Sequence, residues 1–503
     1  MTLEKGIPQT TFATSPCRVS NSHAVSKNSS VLLLGLDFGS TTSSALVARS
    51  HILTNSITGN MELGDIKIIF RSDIVLTPFI NDHIDESKIT QLLNLWFEQC
   101  GYQAEDFFAG GVIITGLAAR QKNAEFLAKL IEDRMGEILV ATADDPNFES
   151  WLAFMGGCGA LSRYRSTTPI VNLDIGGGTT NPAIGLNGKV IHTGCYFIGA
   201  RHIQFEAGSY RIRALTPEAI TLFKRLNIHK QVNDVLALEE VNSFLAFYVQ
   251  ALENIAQGNI AFFNSAELLP LQQVAFSYEL TSNPVAITFS GGVGELIYQA
   301  MAGKSLPSTT FYGDLGIDLA KAIIASPILS RSLTTIIPEN EGRATVYGLA
   351  LHSTEVSGAT LYLPDPSVLP IKHLPIVSRC SGDISKPELY EALKLICQNH
   401  MGGCLQIFIA DSIGYRTDKV KMIRTLGQMF YEILEELQPA NNLPIVVLVD
   451  CNIGKSLGAY ATQWGKLLLN LIVIDEVLLK DASFVNLRRQ HQQVIPISFY
   501  GIK

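Results

Sequence analysis

Hydrophobic and polar positions first settle into a regular pattern at Val31. Val31 to Asp37 is an apolar run that ends in a glycine-containing turn, and Ser43 to Arg49 follows as a second apolar run. The pattern predicts a strand, a glycine turn and a returning strand. Short buried strands are predicted at Val112 to Thr115 and at Ile138 to Ala141. Between them, Asn123 to Met135 has helical spacing through Phe126, Leu127, Leu130 and Ile131. A helix is predicted from Asn147 through Phe154.

The strand, turn, strand pattern returns at Ile170 to Asp174, Ile175 to Thr180 and Ala183 to Leu186. Asn187-Gly188 then marks a hairpin, because both residue types tolerate positive φ, and Val190 to Cys195 is the returning strand. Leu238 to Ala256 carries Val241, Phe244, Leu245, Tyr248, Leu252 and Ile255 on one side, the pattern of an amphipathic helix. Ala286 to Phe289 is a strand that runs into Ser290-Gly291-Gly292, and Ala344 to Ser353 is a buried helix rich in small residues.

A proline-containing stretch from Leu363 to Pro375 marks a domain boundary, and regular α/β alternation follows. Ser385-x-x-Glu388 opens a helix through Cys397 as a capping box. Then come strand Gln406 to Ala410, helix Asp418 to Leu437, strand Ile445 to Val449, helix Lys455 to Leu469 and strand Ile472 to Ile474. Strands alternating with helices indicate a small doubly wound unit.

Composition changes this picture only by exclusion. A content of 47% hydrophobic and 17% charged residues is that of a chain that buries a core. The net charge of −8 excludes a sequence-independent nucleic-acid binder, which needs a basic face. A membrane span needs about 18 apolar residues in a row. The longest candidate, Leu467 to Leu479, is interrupted by Asp475 and Glu476. Residues 1–30 are rich in Ser, Thr and Asn, lack the apolar centre of a secretory signal and are expected to form a disordered leader. The cysteines at 17, 100, 158, 195, 380, 397, 404 and 451 form no C-x-x-C pair, so reduced thiols serving as small hydrophobes are expected.

The chemistry lies in the two glycine turns, which form an internal repeat. Leu36-Asp37-Phe38-Gly39-Ser40-Thr41-Thr42 matches Leu173-Asp174-Ile175-Gly176-Gly177-Gly178-Thr179-Thr180, read with one extra glycine in the second copy. A strand follows each turn, whereas Rossmann and P-loop motifs need a helix there. Glycines let backbone N–H groups close on phosphate oxygens, and the Ser and Thr hydroxyls add hydrogen bonds. Aspartates would repel phosphate, so Asp37 and Asp174 are read as Mg²⁺ holders. Gly39, Ser40, Thr41 and Thr42 on one side, and Gly176, Gly177, Gly178 and Thr179 on the other, are the candidate phosphate grips. A single such turn reads most simply as a tight β-turn; two matched copies favour function. Ser290-Gly291-Gly292-Val293-Gly294-Glu295 is a third element, with Gly291, Gly292 and Glu295 as candidates to approach a purine and ribose.

These three motifs resemble those of the superfamily of actin, sugar kinases and heat-shock chaperones. A longer ordered set resembles one family within it, the ethanolamine ammonia-lyase reactivating factors. That set is Ile113 to Gly116 with Lys122 to Ala124, Glu149-Ser150, Asn172 to Thr179, Ser290 to Glu295, Arg343 to Val346, Gly454 to Gly458 and Val473 to Val477. The resemblance covers residue 31 to the C-terminus. It implies an α/β, actin-like ATPase fold of duplicated ribonuclease H-like lobes around a nucleotide cleft, with an appended C-terminal α/β domain. It implies ATP and Mg²⁺ as cofactors and ethanolamine ammonia-lyase as partner. Adenosylcobalamin is involved only through that partner, whose damaged cofactor is exchanged. It further implies weak ATPase activity and a cytoplasmic setting that could include a bacterial microcompartment; homo-oligomerisation stays open. The chain departs from the family at Leu117, where an acidic residue is usual, at Gly199-Ala200, where Gly-Gly is favoured, and at Pro182, which removes a ladder donor.

The expected organisation is leader 1–30, lobe I over 31–165 completed by about 342–362, lobe II over 166–341, and the C-terminal domain over 379–503. Glu149 occupies the place where superfamily members orient the attacking water, and it reads equally well as a helix N-terminal carboxylate. Gly454-Lys455-Ser456 is no Walker motif, because Val449 stands where that pattern needs glycine. Asp82-His83 lacks a cobalamin-type continuation. Trp96, Trp151 and Trp464 read as core or interface residues. Two other functions fit the same lobes: a small-molecule kinase, which needs a carboxylate base beside the transferred phosphate, and a nucleotide-dependent assembly protein.

Overall fold

The computed structural model describes residues 30–39, 42–54, 60–80, 83–114, 129–131, 133, 139–141, 146–279, 284–358, 360–409 and 416–502. The expected leader, apart from Ser30, and most of the helix expected over 123–135 lie outside these residues.

The first sheet is built from β1 (Ser30–Phe38), β2 (Thr42–Thr54), β3 (Met61–Arg71), β4 (Val75–Leu76), β7 (Phe107–Ile114) and β8 (Leu139–Ala141), while β5 (Phe79–Ile80) and β6 (His83–Ile84) pair separately. Its order is β3-β2-β1-β7-β8, with β4 on β2; β1 runs antiparallel to β2 and parallel to β7. Helix α1 (Glu86–Cys100) covers it with Ile89, Leu93 and Trp96 packed on Leu36, Phe38 and Val112. The Asp85 side chain caps its first turn, and Gly101, left-handed at φ 74, ends it.

Helix α2 (Pro146–Tyr164) leads to the second sheet. That sheet contains β9 (Ile170–Ile175), β10 (Thr180–Leu186), β11 (Lys189–Thr193), β12 (Cys195–Tyr196), β15 (Gln272–Val274) and β16 (Ala286–Ser290), and β13 (Ile203–Phe205) pairs with β14 (Ile212–Leu215) beside it. The order is β15-β12-β10-β9-β16, and β9 runs antiparallel to β10 and parallel to β16. The central strand of each sheet therefore has the same surroundings. Asn187 and Gly188 take φ of 50° and 75°, so the expected hairpin turn forms. Pro182 sits opposite Leu173, and its carbonyl accepts from Gly194 N at 2.9 Å. Its missing N–H faces the same side, at the break between β11 and β12, where the ladder loses least. The helices here are α3 (Pro217–Arg225), α4 (Leu238–Ala256), α5 (Gly291–Met301) and α6 (Gly316–Ala325). The bounds of α4 are those its apolar stripe predicts.

Helix α2 joins the two sheets. Its Leu152 packs with Ile113 of β7, and its Phe154 and Cys158 pack with Ile170 and Ala286 of the second sheet. It crosses α7 (Ala344–His352) at two glycines. A Cβ on Gly156 would stand 1.9 Å from the Ala344 carbonyl, and one on Gly348 2.0 Å from the Leu152 carbonyl. The backbones touch, and no side chain fits between them.

The third sheet has the order β17-β23-β22-β18-β19-β20-β21. Its strands are β17 (Thr354–Val356), β18 (Ile371–Ser381), β19 (Gly403–Phe408), β20 (Ile445–Val449), β21 (Leu471–Ile474), β22 (Ala482–Leu487) and β23 (Pro496–Ile502). Helices α8 (Lys386–Gln398), α9 (Arg416–Leu437) and α10 (Gly454–Ala461) complete the parallel half, with Ser385 and Glu388 forming the expected capping box. The helix expected over 455–469 stops at Ala461, because Gln463, Trp464 and Gly465 turn left-handed at φ 47, 58 and 81. β18 is antiparallel to β22 through Ile371, Leu374 and Pro375, then parallel to β19 from Ile376 onward. The position between 378 and 379 falls inside this strand. Lys480 ties the third sheet to the helix crossing: it pairs with Glu355 at 2.8 Å and stands 4.5 Å from the centre of the Trp151 ring.

Candidate functional site

Asp37 and Asp174 occupy equivalent places in the two sheets. Asp37 is registered with Ser44 of β2 and Ile113 of β7, and Asp174 with Asn181 of β10 and Ser290 of β16. Each turn closes with the same bond, Gly39 N to the Thr42 carbonyl and Gly176 N to the Thr179 carbonyl, both at 2.9 Å. The strand partners show that the turns are equally long: Phe38 pairs with Ser43, and Ile175 with Thr180. The extra glycine read in the second copy is therefore absent. Positions 40 and 41, which lie outside the described residues, correspond to Gly177 and Gly178.

Both turns open into one cleft of about 730 Å³. Asp37, Gly39, Thr42, Glu149, Asp174, Gly176, Gly177, Thr179, Gly291, Gly292 and Glu295 all line it. Gly178 is not among the lining residues; its carbonyl is turned away and accepts from His202 Nε2 at 2.8 Å. Gly291 is the motif glycine that needs its special conformation. It sits at φ 76, and a Cβ there would stand 2.6 Å from the Ile175 carbonyl. Gly199, beside the departure at Ala200, is needed as well, because a Cβ would meet the Gly177 carbonyl at 2.5 Å.

The two carboxylates are buried in different ways. Burial pushes Asp37 up to about 7, and Asp174 opposite adds to the rise. Burial also raises Asp174, to about 6, while a hydrogen bond from Ser290 holds it back. That bond, at 2.5 Å, ends a relay. Asn172 Nδ2 donates to Ser290 Oγ at 2.8 Å, Thr288 Oγ1 donates to Asn172 Oδ1 at 3.1 Å, and Cys158 Sγ lies 3.3 Å from Thr288 Oγ1. Asp37 Oδ1, by contrast, is buried with no hydrogen-bond partner among the described residues. Two facing carboxylates, one with an orphaned oxygen, suit a divalent cation that keeps most of its waters. No group of three His, Cys, Asp or Glu side chains gathers for a metal among the described residues.

Glu149 lies buried in the first turn of α2; burial raises the Cys195 thiol, and the Glu149 charge nearby adds to the rise. Several residues at the site were not anticipated from sequence. His202 braces the second turn; Arg201 N donates to the Gly177 carbonyl at 2.6 Å; and Asp314, 3.6 Å from the Arg201 guanidinium, lines the cleft. They come from loops with no motif of their own, and only the folded sheet brings them together. Ile113-Ile114 leads towards the site, but Thr115 to Lys122 lie outside the described residues, as does Leu117.

A family model described as ethanolamine utilisation protein EutA matches residues 29–499. The chain is 28% identical over 355 residues to the ethanolamine ammonia-lyase reactivase EutA of Salmonella typhimurium, covering 69% of this chain and 72% of that protein. It is 25% identical over 476 residues to the reactivase of the same name from Escherichia coli, covering 91% of this chain and 94% of that one. Among solved structures, a Ppx/GppA family member from Aquifex aeolicus aligns at 16% identity over 64% of this chain and 88% of its own, with a TM-score of 0.34. No helix among the described residues is long and apolar enough to cross a membrane.

Proposed function

The chain belongs to the ethanolamine utilisation protein EutA family, and from that premise we propose that it is an ATP- and Mg²⁺-dependent reactivating factor for ethanolamine ammonia-lyase. The observation that carries the nucleotide half of this reading is the matched pair of turns, each presenting a buried carboxylate to one cleft. The partner half rests on the family and on the reactivases that share most of the chain's length.

Asp37 and Asp174 would hold Mg²⁺ through its waters, one Asp37 oxygen having no other partner among the described residues. The N–H groups of Gly39 and Gly176 close the turns, so in the second turn those of Gly177 and Gly178 would bind phosphate oxygens, with Thr42 and Thr179 adding hydroxyls. Gly291, Gly292 and Glu295 would line the nucleoside end, and Glu149 would orient a water. When bound, Mg-ATP would supply the phosphoryl group whose hydrolysis would make the cycle directional. The sheets carrying the turns, with an actin-like order around each central strand, are the two lobes. They would rotate about the glycine crossing of α2 and α7. The third sheet, tied to that crossing by Lys480, would carry the movement to the partner and loosen its cofactor site. ATP hydrolysis at a slow rate is part of this reading, as is exchange of damaged cobalamin for adenosylcobalamin on the partner.

The test is recovery of activity. Ethanolamine ammonia-lyase inactivated with hydroxocobalamin is mixed with this protein, ATP, Mg²⁺ and adenosylcobalamin. Deamination should return only when all four are present. Return without ATP, or no return with everything present, counts against the proposal.

A further inference from the structure

We infer that Phe311 and Tyr312 form the seat for the nucleobase, so that the cleft selects a nucleoside triphosphate over a bare triphosphate. This rests on the nucleotide reading of the cleft and adds to it which residues recognise the base.

The two rings line the same cleft as the glycine turns, yet both stand open: Phe311 is 56% exposed and Tyr312 39%. Large aromatic side chains normally bury most of their surface. These two are held edge to face, with centroids 5.1 Å apart, and present flat apolar area to the cleft. Phe205 and Leu296 line the same cleft. Base stacking on such a face tolerates any base, because every base has a π-surface.

The loop carrying them is rigid and strained. Thr310, just before Phe311, is buried at φ 52, a conformation that a β-branched residue adopts only under constraint. It is held there by its hydroxyl, which donates to the Ser209 carbonyl at 2.9 Å, and by its own carbonyl, which accepts from Gly313 N at 2.7 Å. Gly313 is also left-handed, at φ 72. Strain of this kind persists where the surrounding structure imposes it, and it collects at ligand clamps. Here it aims two apolar rings at a cleft instead of into a core.

The loop is also fixed relative to the second phosphate turn. Arg201 N donates to the Gly177 carbonyl at 2.6 Å, and its guanidinium donates to the Tyr312 carbonyl at 3.4 Å. Phe205 N bonds to the Gly313 carbonyl at 2.8 Å, and Leu315 N to the Ala200 carbonyl at 3.0 Å. One residue, Arg201, thus spans from the phosphate grip to the aromatic loop. A ligand with phosphates at one end and a flat ring at the other matches that arrangement.

The experiment titrates the full chain by calorimetry with Mg-ATP and with Mg-tripolyphosphate. It compares wild type, the double variant Phe311→Ala with Tyr312→Ala, and Phe311→Trp. Wild type should bind ATP the tighter. The double variant should lose about ten- to a hundredfold in ATP affinity, the loss expected for an unstacked base, and less than about twofold for tripolyphosphate. Phe311→Trp should keep ATP binding and change its indole fluorescence with ATP but not with tripolyphosphate. Unchanged ATP affinity in the double variant overturns the inference. So does an equal loss for both ligands, or an indole that responds alike to both. Wild type that binds neither ligand overturns the nucleotide reading itself, a failure visible before any variant is made.

Discussion

The two glycine turns are alike in strand partners and closing bond and unlike in chemistry. Both close with one bond of the same length, and both put an aspartate between an antiparallel and a parallel strand. Asp174 is held by Ser290 at the end of a buried relay, whereas one Asp37 oxygen has no partner among the described residues and Asp37 sits higher in pKa, near 7 against about 6. The two turns share the position of the carboxylate and differ in its surroundings. One copy is oriented in advance by the protein. The other has no hydrogen-bond partner for one oxygen among the described residues.

The largest effect is expected from removing either carboxylate. Losing a supporting residue alone costs about ten- to a hundredfold in metal affinity. Asp37→Ala and Asp174→Ala should each weaken Mg-ATP binding by at least about a hundredfold in calorimetric titration and cut ATP turnover. Wild-type affinity in both would remove the metal assignment. Gly177→Val should come next. Gly177 lines the cleft and its carbonyl is held by Arg201 N, so a branched side chain there would crowd the N–H groups proposed to bind phosphate. The variant should fold but lose the rise in melting temperature that ATP gives wild type. A variant that unfolds, or one that keeps the ATP shift, would make the turn purely structural.

Ser290→Ala tests the relay. It should cost about tenfold in Mg²⁺ affinity by leaving Asp174 unoriented, and Ser290→Thr should restore part of it. An alanine variant as tight as wild type would mean that the relay does nothing for binding. The smallest effect is on stability without ligand. Both carboxylates have folded pKa values raised from 3.8, so the folded state binds their protons more tightly than the unfolded state does. Their contribution is therefore greatest below pH 4 and is lost as pH rises through about 6 to 7. The ligand-free protein should melt several degrees lower at pH 8 than at pH 5.5, by a few kcal/mol in order of magnitude. Asp37→Asn should flatten that slope and Mg-ATP should reverse it in wild type only; an equally steep slope in Asp37→Asn would place the effect elsewhere.

Much of this site was legible in the sequence because turns are local. Asp37 and Asp174, the glycines after them and the strand into Ser290 all reveal themselves within a few residues. The length of the first turn was misread because Ser40 and Thr41 stand where the second copy has glycines, and a comparison by residue type inserts a gap that the backbone does not have. Helix α4 was read to its ends because its stripe is long and periodic. Helix α1 is equally legible, since Ile89, Leu92, Leu93 and Trp96 carry the spacing and Asp85 and Gly101 the caps. The strands β22 and β23 pair with each other, but neither Ala482–Leu487 nor Pro496–Ile502 alternates apolar and polar residues cleanly, so no period-2 signal marks them. His202, Arg201, Asp314 and the aromatic pair depend wholly on tertiary structure, and no local signal marks them.

The relay behind Asp174 begins at a thiol. Cys158 is fully buried between α2 and the second sheet, and burial pushes it up to about 12, so it is neither ionised nor reachable at neutral pH. Such a cysteine can be alkylated only during the moments when α2 lifts from the sheet. With the more exposed cysteines replaced by serine, the rate of its modification becomes a clock for that opening. It would time that opening from within, using a residue the protein already has, and show whether a bound ligand slows the clock or lets it run.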